Sequence, residues 1–161
     1  MTFEEAVRAA PSPIRDAYQP GKQALKGEYR NRVTCADSRR LTGSIALEDS
    51  LHGVPHPVLS NPWDYGLGFR ETDGHEAAIW VEVHPASTSE VVVFINKYKS
   101  LVSWLRSEAR DLAKLSGRRP VAGTFFWLAT ETGVHIPSHT KQARILSSMG
   151  LKLPRTRIDL T

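Results

Sequence analysis

The sequence contains a single cysteine, Cys35, among its 161 residues. One cysteine excludes an internal disulfide framework and a cysteine-based zinc site, and it is typical of proteins in a reducing cytosol. No apolar run approaches the roughly 18 residues that a membrane-spanning helix needs. The N-terminal residues also lack the apolar stretch of a secretory signal. We therefore expect a cytoplasmic protein without a membrane segment.

Internal repeats, low-complexity tracts, long linkers and phosphate-cradling glycine motifs are missing as well. Apolar residues make up 40% and charged residues 24% of the chain, which is the balance of a globular protein. The length suits one domain, which we expect to span residues 1–161. Within it we expect a core at 43–129, a helical or irregular N-terminal segment at 1–42 and a C-terminal extension at 130–161.

The charge is unevenly distributed along the chain. Residues 1–86 carry 9 Lys and Arg against 12 Asp and Glu, a net charge of −3, and residues 87–161 carry 12 against 5, a net charge of +7. A basic half favours a phosphate-bearing partner such as nucleic acid, and the alternative is a basic surface without such a partner. The candidate nucleic-acid-binding residues are Arg118, Arg119, Lys141, Arg144, Lys152, Arg155 and Arg157.

The strongest local pattern is a β-hairpin in the middle of the chain. Residues 63–70 and 77–84 both alternate with period two, and the loop 72–74 between them ends in glycine. A three-residue hairpin loop needs its last residue in left-handed backbone, which glycine tolerates. This register sets Asp64 directly opposite Glu82.

The register also predicts two different faces of the hairpin. One face carries Trp63, Tyr65, Leu67, Phe69, Ile79, Val81 and Val83, and the other carries Asp64, Gly66, Gly68, Arg70, Trp80, Glu82 and His84. A slip by one residue would split the apolar set, which a buried face forbids. Gly66 and Gly68 leave the polar face uncrowded, so we expect a substrate backbone to approach there. Trp80 between charged neighbours indicates a covered or binding surface.

The remaining segments predict helices and further strands. We expect a short helix at 1–10, irregular or weakly helical structure at 13–30, a first strand at 43–49 and a loop at 52–62. We also expect strands at 121–129, 134–136 and 156–160, a turn at 131–133 and a helix from Ser138 to Met149. Ser87 and Glu90 form a capping box before a long helix that stops near Gly117.

The long helix decides the topology of the sheet. A helix that crosses over between two strands implies that residues 77–84 and 121–129 pair in parallel. The hairpin itself is antiparallel. We therefore expect an α/β fold with a mixed central sheet, a long crossover helix and helices packed on the sheet faces.

Asp64 and Glu82 form the candidate site. Like charges that face each other destabilise a strand pair by up to about 1 kcal/mol, so another group should offset that cost. A divalent cation such as Mg²⁺ or Mn²⁺ would do so, because hard cations take carboxylate oxygens as ligands. Glu48 and Asp49 are either a source of a third oxygen ligand or part of the turn that ends the first strand.

The alternative for the two carboxylates is a solvated face, where they pair with Arg70, Arg39 or Arg40. The histidines do not add a metal site in this interpretation. His52 and His56 are four residues apart in a proline-rich loop, which is not a helical metal pair. The spacing of His135 and His139 indicates a strand face and a helix start.

The order of elements over roughly residues 43–129 resembles the core of the PD-(D/E)XK nuclease superfamily. Asp64 resembles its first metal-binding carboxylate, and Glu82-Val83-His84 resembles its Glu-x-Lys motif, with Glu82 as the second carboxylate. The resemblance implies a restriction-endonuclease-like core, Mg²⁺ or Mn²⁺ as cofactor, and cleavage of phosphodiester bonds in DNA or RNA.

The chain departs from this motif at two positions. Pro62 lies two residues before Asp64, and His84 occupies the lysine position. That lysine positions the attacking water in the superfamily, and some members carry it on the following helix, where Lys97 and Lys99 lie here. His84 could itself act as the base, because its pKa lies near operating pH.

The departure also supports two non-catalytic alternatives. The first is an inactive descendant that keeps the fold and binds nucleic acid or a protein. The second is a small structural subunit whose exposed aromatic residues mark an interface.

Overall fold

The computed structural model describes residues 1–54, 59, 61–130 and 136–161. The α-helices are α1 (Phe3–Arg8), α2 (Gly27–Arg30), α3 (Leu47–Leu51), α4 (Val91–Glu108), α5 (Arg110–Ser116) and α6 (Lys141–Ser148). The β-strands are β1 (Gln19–Pro20), β2 (Val33–Cys35), β3 (Leu41–Ala46), β4 (Tyr65–Arg70), β5 (Glu76–His84), β6 (Phe125–Ala129) and β7 (Ile158–Leu160). In these ranges no helix combines the length and apolar character that crossing a bilayer requires.

The β4–β5 hairpin has the predicted register. Tyr65 pairs with Val81 and Phe69 with Ala77, and the backbone N–H of Glu71 donates to the His75 carbonyl at 2.7 Å. Gly74 has a φ of 89°, the left-handed conformation that the loop needs. The hairpin and its three-residue loop are therefore confirmed.

The central sheet is mixed and has five strands in the order β1-β3-β4-β5-β6. β5 and β6 pair in parallel and the other neighbours are antiparallel, which confirms the topology expected from the crossover helix. Several predicted strand boundaries were wrong. β3 ends at Ala46 because Leu47 already begins α3, and residues 121–123 form a 3₁₀ turn before β6.

Helices α1, α4 and α5 cover one face of this sheet, and this is the face predicted to be polar. Trp80 is fully buried there, and its indole N–H donates to Ser116 Oγ at 2.8 Å. A Cβ at Gly66 would lie 2.7 Å from the Trp80 ring, and one at Gly68 would lie 2.5 Å from Phe3. The two glycines therefore admit core side chains, and the prediction that a substrate backbone approaches them was wrong.

A second, smaller sheet covers the opposite face. β2 and β7 pair in parallel, so the predicted last strand exists but does not join the central sheet. The shared core on this side contains Leu25, Val33, Leu41, Tyr65, Leu67, Phe69, Ile79, Val81, Phe126, Leu128, Ile158 and Leu160, with Tyr29 of the short helix α2 packed against it. The long helix thus covers one face of the central sheet, and the small sheet covers most of the other.

Trp63 lies on the helical side and not with Tyr65. Its ring is 5.2 Å from Phe94 and 5.7 Å from Phe125 between centroids. The chain bends at Asp64 and β4 begins at Tyr65, so the strand alternation does not extend back to Trp63. All four tryptophans are buried. The large apolar side chains exposed in the described ranges are Met1, Val54, Val92, Val93 and Ile145, so the expected exposed aromatics are absent from this set.

The long helix differs from its prediction at both ends. Ser87 makes no side-chain cap hydrogen bond, and Thr88–Glu90 is a 3₁₀ turn, so the predicted capping box was wrong. Ala109, at φ −128° and ψ 57°, interrupts the helix between α4 and α5.

The C-terminal part was predicted less completely. Helix α6 is capped by Thr140, whose hydroxyl accepts from the Ala143 N–H, and not by Ser138. The expected turn at 131–133 and most of the expected strand at 134–136 lie outside the described residues.

Candidate functional site

The candidate site lies at the open end of the β4–β5 hairpin, away from the turn. β3 pairs with β4 up to Ala46 and Tyr65, and the Leu47 N–H donates to the Asp64 carbonyl at 2.8 Å. Because α3 begins at Leu47, its first turn carries Glu48 beside Asp64. The fold therefore brings together a carboxylate from α3 and one from the start of β4.

The side chains of Glu48 and Asp64 lie within hydrogen-bonding reach of each other. A hydrogen bond between them, together with burial and the charge of Asp64, raises the pKa of Glu48 to about 7. Burial raises the pKa of Asp64 to about 6, and the nearby Glu82 carboxylate acts in the same direction. Asp64 Oδ2 accepts from the Val83 N–H at 2.8 Å, which fixes its orientation. The raised pKa values favour a proton held between the two carboxyl groups below neutral pH.

Glu82 lies deeper, with no exposed side-chain surface. Its Oε1 accepts from the Asp64 backbone N–H at 3.2 Å, and its Oε2 forms an ion pair with Lys97 Nζ. Lys97 comes from α4 and is itself buried. The site thus contains a buried carboxylate whose charge is already compensated, whereas the prediction expected Asp64 and Glu82 to repel each other unpaired.

His84 bridges two carboxylates. Its Nδ1 lies 3.5 Å from Glu82 Oε2 and its Nε2 lies 2.6 Å from Glu90 Oε2. The hydrogen bond to Glu82 is the main cause that raises the pKa of His84, with Glu90 adding to it and burial opposing it. These two contacts link β5 to the start of α4. A protonated imidazole would donate to both carboxylates, and only the neutral form would have a lone pair with which to act as a base.

A polar cavity of about 190 Å³ opens over these groups. Its lining residues are Lys26, Tyr29, Glu48, Asp49, Asp64, Tyr65, Val83 and Thr130. Glu48 and Asp49 are exposed at its mouth, and Asp64 is only partly exposed. The cavity therefore presents carboxylate oxygens to a small polar or charged ligand.

Two carboxylates here are candidate ligands for a cation that keeps most of its own water. No group of three or more His, Cys, Asp or Glu side chains in the described ranges is arranged to hold a metal ion. Mg²⁺ is commonly held by only one or two carboxylates and completes its shell with water and substrate oxygens. Glu48 and Asp64 provide two such groups, and a cation bound between them would offset the repulsion of their charges. Glu82 lies deeper and accepts from the Asp64 backbone N–H, and its ion pair with Lys97 already neutralises its charge.

The arginines proposed as alternative partners of the carboxylates lie elsewhere. Arg39 pairs with Asp37, Arg40 with Glu71 and Arg70 with Glu76. Lys99 is exposed on α4 and lines a different surface cavity. Of the two lysines considered on this helix, Lys97 is the one that reaches Glu82.

The candidate nucleic-acid-binding residues do not form one surface around the cavity. Arg119 stacks on Phe69, 5.1 Å from the ring centroid, and pairs with Glu71 at 3.4 Å, near the hairpin turn. Arg118 is exposed in the same region. At the opposite end of the sheet, Arg155 joins β6 through backbone hydrogen bonds.

Lys152 and Arg155 line a separate cavity of about 550 Å³ beside α6, the helix that also carries Lys141 and Arg144. Arg157 is exposed and pairs with Asp159 at 3.4 Å. The histidine pairs add no ligands in the described ranges, since His56 and His135 lie outside them. His139 is exposed before α6.

Sequence reasoning missed Lys26 and Tyr29, which come from the segment predicted to be irregular. It kept Glu48 as an alternative ligand but assigned it to a strand end. The only local signal was one aromatic residue, Tyr29, among the basic residues Lys26, Arg30 and Arg32.

Comparison with known proteins does not place the chain in a family. No family model matches it, and searches of curated proteins and of solved structures found no significant match.

Proposed function

We propose that this chain is a divalent-metal-dependent, nuclease-like protein that cleaves phosphodiester bonds of DNA or RNA. The observation that carries the proposal is the placement of Glu48 and Asp64 side by side in one polar cavity, with the buried ion pair of Glu82 and Lys97 beside them. The pKa of Glu48 and that of Asp64 are both raised. Charged and raised-pKa groups that converge on one cavity are typical of catalytic sites.

The topology supports a restriction-endonuclease-like core. A strand, an antiparallel hairpin, a crossover helix and a parallel strand follow one another from β3 to β6. Asp64 and Glu82 stand at the positions that resemble the two carboxylates of the PD-(D/E)XK pattern, and Lys97 supplies the positive charge from the helix. On this proposal Lys97 takes the place of the motif lysine, and His84 has a positioning role.

The residues that line the cavity and the residues buried beneath it have different roles in this proposal. Glu48 and Asp64 would hold Mg²⁺ or Mn²⁺, which when bound lowers the pKa of its water and offsets charge on the phosphate. Glu82 keeps Asp64 in place through the backbone N–H, and Lys97 forms the ion pair with Glu82 in the buried site. His84 and Glu90 hold the start of α4 against β5, which fixes the approach of Lys97.

The test is a cleavage assay on supercoiled plasmid and on single-stranded RNA with Mg²⁺ or Mn²⁺. We expect cleavage by the wild type that EDTA stops, and loss of cleavage in Asp64→Asn and in Glu48→Gln. Glu71→Gln, which removes a carboxylate near the hairpin turn, is the matched control and should cleave as the wild type does. Cleavage that persists in both site variants would refute the proposal.

A second candidate is a module that keeps this fold and binds nucleic acid or a protein without catalysis. It is favoured by the fixed position of His84, whose two nitrogens both contact carboxylates. Binding of a nucleic acid by purified protein without cleavage under any metal condition would select this function.

A further inference from the structure

The segment before β2 forms one wall of the acidic cavity. Lys26 and Tyr29 line it opposite Glu48 and Asp49. The Lys26 N–H donates to the Tyr65 hydroxyl at 3.4 Å, so the backbone of this segment is attached to the hairpin. Lys26 itself is exposed, so its side chain is accessible to a ligand at this cavity.

The neighbouring cations of this segment already have partners. Lys22 Nζ donates to the carbonyls of Arg30 and Val33 at 2.9 and 2.8 Å. Arg30 donates to the Leu25 carbonyl at 3.0 Å. Arg32 donates to the carbonyls of Thr156 and Ala129. These three side chains stabilise the fold of the segment.

Lys26 differs from them. Its ammonium group makes no hydrogen bond or ion pair with any residue that the structure describes. Lys26 lines a cavity whose other charged lining residues are Glu48, Asp49 and Asp64. A cation at the rim of an acidic cavity can hold an anionic ligand that the carboxylates alone would repel.

Tyr29 offers a rigid aromatic surface beside this cation. Its ring lies 6.4 Å from Tyr65 between centroids at an angle of 55°, and the Arg32 guanidinium lies over it at 5.9 Å. The side chain is only partly buried, so part of it remains in the cavity wall. An aromatic ring next to a free cation is the arrangement that binds one nucleotide of a single strand.

We propose that Lys26 and Tyr29 recognise an unpaired nucleotide of single-stranded DNA or RNA, with Lys26 on the backbone phosphate and Tyr29 stacked on the base. This deepens the proposed function and rests on it, since it names the substrate of the same cavity. A paired base is stacked between its neighbours and does not reach a ring set into a cavity of about 190 Å³. The strand would thus be held beside Asp64.

The test measures binding separately from cleavage. Fluorescence anisotropy with labelled oligothymidylate, oligouridylate and a duplex of equal length is recorded in EDTA, with every variant built on Asp64→Asn. We expect both single strands to bind more tightly than the duplex. Tyr29→Leu should weaken this binding about fivefold or more, whereas Tyr29→Phe, which keeps the ring, should retain it.

The salt dependence tests Lys26. Lys26→Gln should lower the slope of log affinity against log salt concentration by about 0.7, the contribution of one phosphate contact on a single strand. Lys114→Gln removes an exposed lysine on α5 and should leave the slope unchanged. Circular dichroism of each variant shows whether the fold survives.

The outcomes separate this inference from the proposed function. Binding that depends on Tyr29 and Lys26, in a protein that never cleaves, supports the inference and refutes the catalytic function. Metal-dependent cleavage with binding that Tyr29→Leu leaves unchanged supports the function and overturns the inference. Tighter binding of duplex, or no binding of any oligonucleotide, also overturns it.

Discussion

The two ends of the β4–β5 hairpin both carry charged side chains, but the charges are compensated differently at each end. At the turn, Arg40 and Arg119 lie on the Phe69 ring at 4.5 and 5.1 Å and both pair with Glu71. At the open end, Glu48 and Asp64 lie side by side, and the pKa of each is raised. The turn end balances its charges within the fold, whereas the open end keeps a surplus of carboxylates facing a cavity.

This difference indicates which charged side chains stabilise the fold and which are available to bind a ligand. Glu76, near the turn, accepts from the Phe3 N–H and the Thr42 hydroxyl and pairs with Arg70. These contacts of Glu76 tie separate elements together. Asp64 instead has a raised pKa and a neighbour of the same charge, which costs stability that a ligand can restore.

The largest expected effect comes from removing the cation of the buried ion pair. Lys97→Met should lower the free energy of unfolding by about 3 kcal/mol, because it leaves Glu82 charged and fully buried with His84 as its remaining cation. Urea denaturation measures this. The double variant Lys97→Met with Glu82→Gln should recover most of the loss, since no buried charge remains. A loss below about 1 kcal/mol in the single variant would contradict this account of the site.

The next effect is stabilisation by metal. Mn²⁺ at 100 times its dissociation constant should stabilise the wild type by about 2.7 kcal/mol and raise its melting temperature. Asp64→Asn and Glu48→Gln should lose the shift, because each variant lacks one of the two carboxylates that would bind the ion. Glu71→Gln should keep it. Equal shifts in all four proteins would place the metal outside this cavity.

Sequence alone predicted the hairpin because its signals are local. The period of two and the glycine at the end of the 72–74 loop together determine one register, and a buried face penalises any slip. The parallel pairing of β5 and β6 also followed, since a crossover helix leaves few alternatives. These local signals are therefore enough to bring Asp64 and Glu82 to neighbouring positions.

The rest depends on contacts between distant segments. The period-two alternation of the hairpin could not show that Gly66 accommodates the Trp80 ring. A strand face with glycines and charged residues has the same sequence pattern whether helices or solvent cover that face. The capping box failed because Glu90 pairs with His84 instead of with the helix backbone. The break at Ala109 has no local sequence signal.

The site predicted from the sequence was incomplete for the same reason. Glu48 joins Asp64 only because β3 ends at Ala46 and α3 starts at once, a boundary that propensities do not resolve. Lys26 and Tyr29 reach the cavity from a segment with no regular period, and more than thirty residues separate them from Asp64 in the sequence.

A smaller effect is expected for Glu76, a buried carboxylate that can be compared with the partly buried Asp64. Glu76→Gln should destabilise the protein by about 2 kcal/mol, because hydrogen bonds to a charged acceptor are worth about 1.5–3 kcal/mol. Asp64→Asn, measured above the raised pKa of Asp64 and Glu48, should be neutral or slightly stabilising, since it removes a repulsion and still accepts from Val83. Thermal or urea unfolding of both variants under the same conditions measures the contrast. If Asp64→Asn cost as much as Glu76→Gln, Asp64 would be a structural residue.

The smallest effect is expected for Glu71→Gln at the turn. Glu71 is partly exposed, and its contacts with Arg40 and Arg119 measure 3.9 and 3.4 Å, so the variant should lose less than about 1 kcal/mol. Both guanidinium groups remain stacked on Phe69, which does not depend on the carboxylate. The loss should shrink further at high salt, because partly exposed charge pairs are screened. Urea unfolding at low and high salt measures this, with Lys97→Met as the buried counterpart whose loss should change little. A loss of several kcal/mol at the turn would mean that the charges at both ends are equally essential to the fold, and the contrast that assigns the ligand site to the open end would fail.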